Sequence, residues 1–227
     1  MEPSKGELHN VDLFTGLPPE AVRDIEESAQ WASFAQGELV FDQESDCLDV
    51  YFVVSGTVRI LSYMHSDREV ALATIPAGNY FGELAAIDRK ARSARVVAID
   101  DTVLAWIDGS RFLEIMMKYP VIALRVLERF ARIIRTLDAR VTELATLTEP
   151  QRIYVELVRL AQPDPRRPSG RYIPNAPNHK ELASWAGTTR DRVAQAIGEL
   201  AREGIVERKH PNIMIRDWTR LQLLARG

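Results

Sequence analysis

Two stretches of this 227-residue chain, one in each half, carry side chains whose types and spacing could recognise a phosphate or a base. The first is Tyr80 to Ala98, YFGELAAIDRKARSARVVA. Gly82 frees the backbone for a tight turn. Glu83-Leu84-Ala85-Ala86-Ile87 then reads as a single helical turn whose amide N–H groups face outward, which favours an anion. Arg92 stands nine residues after Glu83 and is followed by Ser93 and Ala94, so a guanidinium fork and a hydroxyl can close on the same phosphate that the amides face. Glu83 is left to accept a hydrogen bond from a sugar hydroxyl.

The second stretch is HKELASWAGTTRDRVAQAIGELAREGIVERKHPNIMIRD, from His179 to Asp217. Asn178 can cap a helix from His179 to Ala186, Gly187 supplies a left-handed turn, and Thr188 or Thr189 caps a second helix reaching about Glu203. Leu182, Val193 and Ile197 form the shared core, and small Ala183 allows close helix contact. The spacing is that of a helix-turn-helix. Gly204 ends the second helix, and Ile205 to Arg208 with Ile213 to Arg216 make a hairpin wing around Lys209-His210-Pro211-Asn212. In such a unit the start of the second helix enters the major groove, so Thr189, Arg190, Asp191 and Gln195 should face base edges: Arg190 can hold guanine bidentately, Asp191 can accept from cytosine, and Gln195 suits adenine. Lys180, Arg192, Lys209 and His210 are the expected phosphate contacts, and Asn178 and Thr188, at the helix starts, belong to the same expected surface.

Composition sets the bounds. The chain is 46% hydrophobic and 27% charged, with room for one or two domains. No apolar run approaches the ~20 residues needed to cross a bilayer, and Met1 to Asn10 has no hydrophobic signal region, so a cytoplasmic location and no membrane partner are expected. The single cysteine, Cys47, can form neither an internal disulfide nor a thiolate cluster. His9, His65, His179 and His210 are widely separated, so no metal is expected, and each reads as a surface or turn residue. No nucleophile with a base and no G-x-x-x-x-G-K-S/T loop is found, which argues against an enzyme. The net charge of −3 hides an asymmetry: residues 148–227 hold 14 basic against 9 acidic residues, and residues 1–147 hold 15 against 23. An acidic front and a basic back imply two domains with different partners, the second a polyanion.

The elements that must position these residues follow from periodicity. Leu8 to Gln30 carries a helix signal with Pro18-Pro19 near its first turn. From Ala32 to Ile107 the pattern turns to short β-rich runs: Glu38 to Phe41, Val50 to Val54, Gly56 to Tyr63, Glu69 to Ile75, Asn79 to Phe81, Ala94 to Val97 and Thr102 to Ile107. They are cut by turn signals at Gly37, Ser55-Gly56, Ser66-Asp67, Pro76-Ala77-Gly78 and Ile99-Asp100-Asp101, at the interval of a sandwich or barrel. Arg111 to Tyr119 predicts one helix and Val121 to Leu147 another, the latter with Leu127, Phe130, Ile134, Leu137, Val141 and Leu144 as a heptad seam on which two copies could pair. Glu149-Pro150-Gln151 reads as a hinge and Arg152 to Gln162 as an amphipathic helix. Pro163 to Asn178 should be a surface loop, with a short strand at Arg171-Tyr172-Ile173.

FGELAAIDRKARSA resembles the phosphate-binding cassette of cyclic-nucleotide-binding domains, and GELVF, YFVVSGTVRI and IPAGNYFGEL are similar to the β-roll of the same family. With the helix-turn-helix behind a heptad helix, nearly the whole chain resembles the cyclic-AMP receptor protein/FNR family of bacterial transcription regulators. The resemblance implies an α+β fold: an N-terminal antiparallel β-roll that binds a cyclic nucleotide (1–119), a long dimerisation helix (120–147) and a C-terminal winged helix-turn-helix (148–227). It implies that Phe81, Gly82, Glu83, Leu84, Ala85, Arg92, Ser93 and Ala94 bind the effector, with Glu83 on the ribose 2′-hydroxyl and Arg92 and Ser93 on the phosphate. It further implies a homodimer, a double-stranded operator with two half-sites, and RNA polymerase as a partner. Three departures stand out. The Phe41 to Asp46 segment lacks the Gly-Asp turn usual in relatives. Gln195 replaces a second arginine in the reading helix, so the operator should differ there. Leu137 and Asp138 stand where relatives carry two hydroxyl residues that reach the base; an ionised Asp138 accepts one bond from adenine but two from guanine, which sets cyclic GMP beside cyclic AMP as effector, unless Asp138 pairs with Arg135 or Arg140. One cysteine excludes the iron–sulfur chemistry of one branch of that family.

Overall fold

The computed structural model describes residues 8–63, 69–165, 167 and 170–226; the Ser66-Asp67 turn, His65 and the segment before Leu8 lie outside them. The chain divides into two compact units, Met1–Arg132 and Ile133–Gly227. In the first, Leu8–Asn10 and Asp12–Phe14 are single 3-10 turns that bury Leu8, Leu13 and Phe14. Within the Leu8–Gln30 stretch the α-helix begins at Pro19, at the Pro18-Pro19 first turn expected for it, after Gly16 adopts φ +73°. That helix, α1, spans Pro19–Ser28. Strands β1 (Gln30–Phe34), β2 (Leu39–Phe41), β3 (Val50–Ser55), β4 (Thr57–Tyr63), β5 (Glu69–Pro76) and β6 (Tyr80–Phe81) follow, then helix α2 (Glu83–Asp88), then β7 (Arg95–Ala98) and β8 (Thr102–Ile107). Gln30, where the expected helix ended, opens instead a strand to Phe34, at the front of the β-rich region and ahead of the first run expected there, that pairs antiparallel with β8 from Gln30↔Trp106 to Phe34↔Thr102.

The strands form two antiparallel sheets, ordered β1-β8-β3-β6 and β2-β7-β4-β5. Two-residue periodicity sorts their side chains between two cores. Tyr51 and Val53 join Phe81, Val96 and Leu104 in a cluster drawn from both sheets. Val50, Phe52 and Tyr80 face the other way, onto Phe14, Ile25 and Phe112. The β-roll is thus closed within and capped by helices without.

Helix α3 (Gly109–Lys118) begins before the expected Arg111 because Asp108 caps it, accepting from the Ser110 N–H at 2.8 Å. Helix α4 (Pro120–Thr146) runs 27 residues, about 40 Å. Ile122 and Val126 anchor it in the first unit's core, whereas Leu127, Ile134, Leu137, Val141 and Leu144 are each more than half exposed.

In the second unit, α5 (Glu149–Leu160) shows that the break between the long helices sits at Leu147-Thr148. Glu149-Pro150-Gln151, expected as the hinge, is instead the first turn of α5: Gln151 Oε1 accepts from both the Thr148 N–H and its hydroxyl at 2.8 Å, and Pro150 needs no donor there. Strand β9 (Gln162–Pro163), where the expected helix was to end and the expected loop to begin, pairs with β10 (Arg171–Ile173). Helices α6 (His179–Ala186) and α7 (Arg190–Arg202), strands β11 (Val206–Lys209) and β12 (Asn212–Ile215), and helix α8 (Trp218–Arg226) complete the unit. The sheet order is β11-β12-β10-β9. Leu157, Leu182, Val193, Ile197, Ile213 and Leu221 share one core, so α8, a helix not anticipated from periodicity, packs through Leu221 onto the winged helix-turn-helix.

Candidate functional site

The turn before α2 is built around two adjacent requirements. Gly82, the residue preceding the helix, has φ +87°, in the region that costs an L-residue about 1–2 kcal/mol. A Cβ there would also lie 2.6 Å from Arg92 Nη1 and 2.9 Å from the Asp49 carbonyl oxygen. Only glycine meets both conditions. The close neighbour is the guanidinium expected to hold the phosphate.

Arg92 is 3% exposed. Its Nη1 donates to the Gly82 carbonyl at 2.9 Å, and its Nη2 donates to the Asp49 carbonyl at 2.6 Å and to Cys47 Sγ at 3.2 Å. The Cys47 thiol in turn donates to Asp49 Oδ2 at 3.2 Å. The guanidinium lies 4.1 Å from the centroid of the Phe41 ring and 5.6 Å from that of Tyr51. Phe41, Tyr51 and Phe81 are themselves stacked or tilted on one another at 5.2–5.8 Å, an aromatic floor under the cassette. Among the described residues no carboxylate comes within ion-pair range of Arg92, and its Nε–H is buried without a hydrogen-bond partner. A sealed cation held only by carbonyls, a sulfur and π faces is one that an arriving phosphate would neutralise. The segment lacking the Gly-Asp turn wraps this site: Glu44 takes φ +66°, its N–H donates to the Arg92 carbonyl, and the Arg92 N–H donates to the Ser45 carbonyl, both at 2.9 Å.

Around this centre Phe81, Glu83, Ala85 and Ala94 are buried, while Leu84 and Ser93 are exposed. Burial pushes the Glu83 carboxyl above its ordinary range, opposed by the Arg129 guanidinium, by its own backbone N–H and by Arg92. Arg129, on α4 with its guanidinium 4.3 Å from the Tyr80 ring centroid, is a functional neighbour that sequence reasoning missed. Its charge read as part of a solvated helix face, and no local spacing tied it to Glu83. Leu137 and Asp138 belong to the second unit, both exposed on α4. Among the described residues Asp138 forms no ion pair with Arg135 or Arg140; its carbonyl accepts from the Thr142 hydroxyl at 2.9 Å.

In the second unit Asn178 Oδ1 accepts from the Lys180 and Glu181 N–H groups at 2.9 and 3.0 Å, and Glu181 Oε2 accepts from the Asn178 N–H at 3.1 Å, closing a capping box at the start of α6. Gly187 turns the chain at φ +60°. Thr189, not Thr188, caps α7 by accepting from the Arg192 N–H at 3.3 Å. Thr189, Arg190, Asp191, Arg192 and Gln195 are all exposed along the start of α7. Gln195 donates to Glu199 Oε1 at 3.0 Å, and Arg192 pairs with Glu149 on α5 at 3.3 Å. Lys180, Lys209 and His210 are exposed, with Lys209 paired to Glu207 at 3.5 Å. Desolvation, then the nearby positive charges of Arg208 and Arg190, hold the His179 imidazole below its ordinary range. His179 thus lies near Arg208 and Arg190 as a largely neutral ring, and Arg208 adds a positive charge beside the start of α7, although neither was expected to contact DNA.

Arg152, at the start of α5, joins three main-chain carbonyls: Nε to Ala186 at 2.8 Å, Nη1 to Leu147 at 2.9 Å and Nη2 to Gly187 at 3.1 Å. One guanidinium thus closes the ends of α4 and α6 and grips the turn before α7. The fork geometry of arginine suits this; a lysine could not span it.

The cyclic nucleotide-binding domain family matches residues 31–119, and the Crp-like helix-turn-helix domain family matches residues 151–224. The chain is 30% identical over 215 residues to the cyclic AMP receptor protein of Thermus thermophilus, across 95% of this chain and 97% of that protein. Its fold is similar to that of a CooA mutant from Carboxydothermus hydrogenoformans, with 19% identity, a TM-score of 0.77 and coverage of 99% and 97% of the two chains. It is also similar in fold to the c-di-GMP responsive global regulator CLP of Xanthomonas campestris, with 20% identity, a TM-score of 0.69 and coverage of 87% and 99%.

Proposed function

The chain belongs to the cyclic-AMP receptor protein/FNR family of DNA-binding transcription regulators, and from that premise we propose that it is a homodimer in which a cyclic mononucleotide, held by the cassette from Phe81 to Ala94, controls the grip of α7 on an operator. The observation that carries the reading is Arg92: a guanidinium sealed beside the left-handed Gly82 turn, with no carboxylate partner among the described residues and a buried Nε–H unmet. Glu83 takes the ribose hydroxyl; Arg92, Ser93 and the amides after Gly82 take the phosphate. The working parts are the β-roll of residues 1–119, the pairing helix of 120–147 and the DNA-binding part of 148–227. The exposed seam on α4 supports pairing, since five large apolar side chains more than half exposed along one helix are those a second copy would cover. Asp138 favours guanine over adenine. The protein acts in the cytoplasm without catalysis, and RNA polymerase is its further partner.

Calorimetric titration with cyclic AMP and cyclic GMP, each with and without operator DNA, tests the reading. Binding of one of them that is lost in Arg92→Gln and that tightens operator binding supports it. Equal operator affinity with no ligand and with every nucleotide tried refutes ligand control and leaves a ligand-independent regulator. An unchanged preference between the two nucleotides in Asp138→Ala refutes the base-reading role. Cyclic di-GMP belongs in the same panel, because a fold neighbour is described as responding to it; binding of that dinucleotide alone would favour this second reading.

A further inference from the structure

We propose that Glu199 is a positioning residue for operator reading: its carboxylate holds the side-chain amide of Gln195 in the one orientation that reads adenine in preference to guanine. The proposal rests on the DNA-reading role of α7 given above and adds to it a residue that itself touches no base.

Gln195 and Glu199 stand four positions apart on α7 and so share one face of it. Gln195 Nε2 donates to Glu199 Oε1 at 3.0 Å. An ionised carboxylate only accepts, whereas a primary amide has one accepting end and one donating end. Contact between the two therefore admits a single setting of the amide, with its nitrogen toward Glu199, because the reverse setting would press the amide oxygen against the carboxylate. Gln195 is exposed and Glu199 half-buried. After burial itself, the charges of Glu199 and then Glu203 push the Tyr154 phenol above its ordinary range, so the carboxylate lies on the flank of α7 near α5. Among the described residues the Glu199 side chain pairs with no arginine or lysine, and the Gln195 amide is its hydrogen-bond partner.

The other side chains expected at base edges are set differently. Thr189 is occupied as the cap of α7, and among the described residues Arg190 and Asp191 make no side-chain hydrogen bond or ion pair. Gln195 is thus the reader whose polar end another side chain orients in advance. The bond to Glu199 uses one of the two Nε2 hydrogens and leaves one N–H beside the Oε1 acceptor. In the major groove adenine offers an acceptor at N7 and a donor at N6, which this pair matches twice. Guanine offers two acceptors, N7 and O6, and can take only the single remaining N–H. An amide released from Glu199 is able to turn and give both hydrogens to guanine, so the carboxylate sets the discrimination between the two purines.

The test starts with selection from a pool of random duplexes by the full chain, with cyclic AMP and cyclic GMP both present. The selected operator is then titrated in gel shifts with each of the four base pairs at the position whose preference Gln195→Ala abolishes. Wild type is expected to prefer adenine to guanine there by roughly tenfold. Glu199→Ala, which keeps the helix because alanine is its best former, should bring the two purines within about threefold of each other, while the lost negative charge tightens binding to every sequence alike. Glu199→Gln is equally neutral but retains an oxygen that can accept from Gln195, so it should restore part of the preference. A purine ratio in Glu199→Ala equal to that of wild type, whatever the overall affinity, overturns the proposal, as does an equal loss of preference in Glu199→Gln and Glu199→Ala. A selected operator with no position that responds to Gln195→Ala overturns it through Gln195. A chain that selects no sequence at all refutes the DNA-reading premise itself, and this assignment with it.

Discussion

Replacing Arg152 by alanine should loosen the second unit more than any other single change to a half-buried side chain there. The wild-type guanidinium makes three charge-assisted bonds to main-chain carbonyls, two of them partly buried and the third, to Gly187, exposed. Hydrogen bonds to a charged group are worth roughly 1.5–3 kcal/mol each when water cannot replace them. Taking the low end for the two partly buried bonds and little for the exposed one gives a loss of at most about 3 kcal/mol. For a unit of this size the full loss corresponds to more than about 10 °C in melting temperature. Urea unfolding followed by hydrogen–deuterium exchange in α6 and α7 reads this unit alone. Arg152→Lys should recover less than half of the loss, because a point charge cannot reach three carbonyls. The same variants carry a functional readout: with the end of α4 no longer tied to the turn before α7, operator affinity should respond less to ligand. A destabilisation below about 0.5 kcal/mol, the scale of an ordinary surface substitution, would refute the energetic reasoning, and full ligand response in Arg152→Ala would remove this contact from the route between ligand and DNA.

Three further outcomes are expected. Glu83 has its folded-state value raised, so as pH climbs above the ordinary glutamate range the unfolded chain sheds this proton first and the folded state loses stability. Ligand-free Glu83→Gln should therefore melt higher than wild type at neutral pH and alike in acid, while binding nucleotide more weakly; a variant less stable at neutral pH contradicts this. Gly82→Ala forces φ +87° on an L-residue and sets a Cβ 2.6 Å from Arg92 Nη1, so it should both destabilise the first unit in thermal melts and abolish nucleotide binding in calorimetry. Arg190→Ala should lose roughly 1–3 kcal/mol of discrimination at a single operator position, whereas Lys209→Ala should weaken all sequences evenly and flatten the salt dependence of a gel-shift titration; a footprint whose sequence preference survives Arg190→Ala excludes that base contact.

Most of the architecture was legible because it rests on local rules. The strands of the roll alternate and are punctuated by glycine turns, and the helix-turn-helix announces its caps at Asn178, Gly187 and Thr189. The misreadings have identifiable physics. Gln30 to Phe34 has no clean apolar face, and its strand exists because β8 offers a partner, which is a tertiary fact. The long helix ends where the sequence pattern put it, at about Leu147, but Glu149-Pro150-Gln151 is no hinge, because with Thr148 it carries the capping-box pattern that marks a helix start. The inward set of Arg92, the alliance of Arg129 with Glu83 and the reach of Arg152 were not available. Each brings together residues distant in sequence, Arg92 with Cys47 and Asp49, Arg129 with Glu83, Arg152 with Ala186 and Gly187, through contacts that only the folded chain creates.

Cys47, the chain's sole sulfhydryl, rests directly against the guanidinium on which an effector would land. The protein therefore contains an intrinsic reporter. Labelling of unmodified wild-type protein by a small thiol-reactive dye occurs at one place only, and its rate will track whether Arg92 is engaged by sulfur or by phosphate, giving an occupancy signal without any engineered probe.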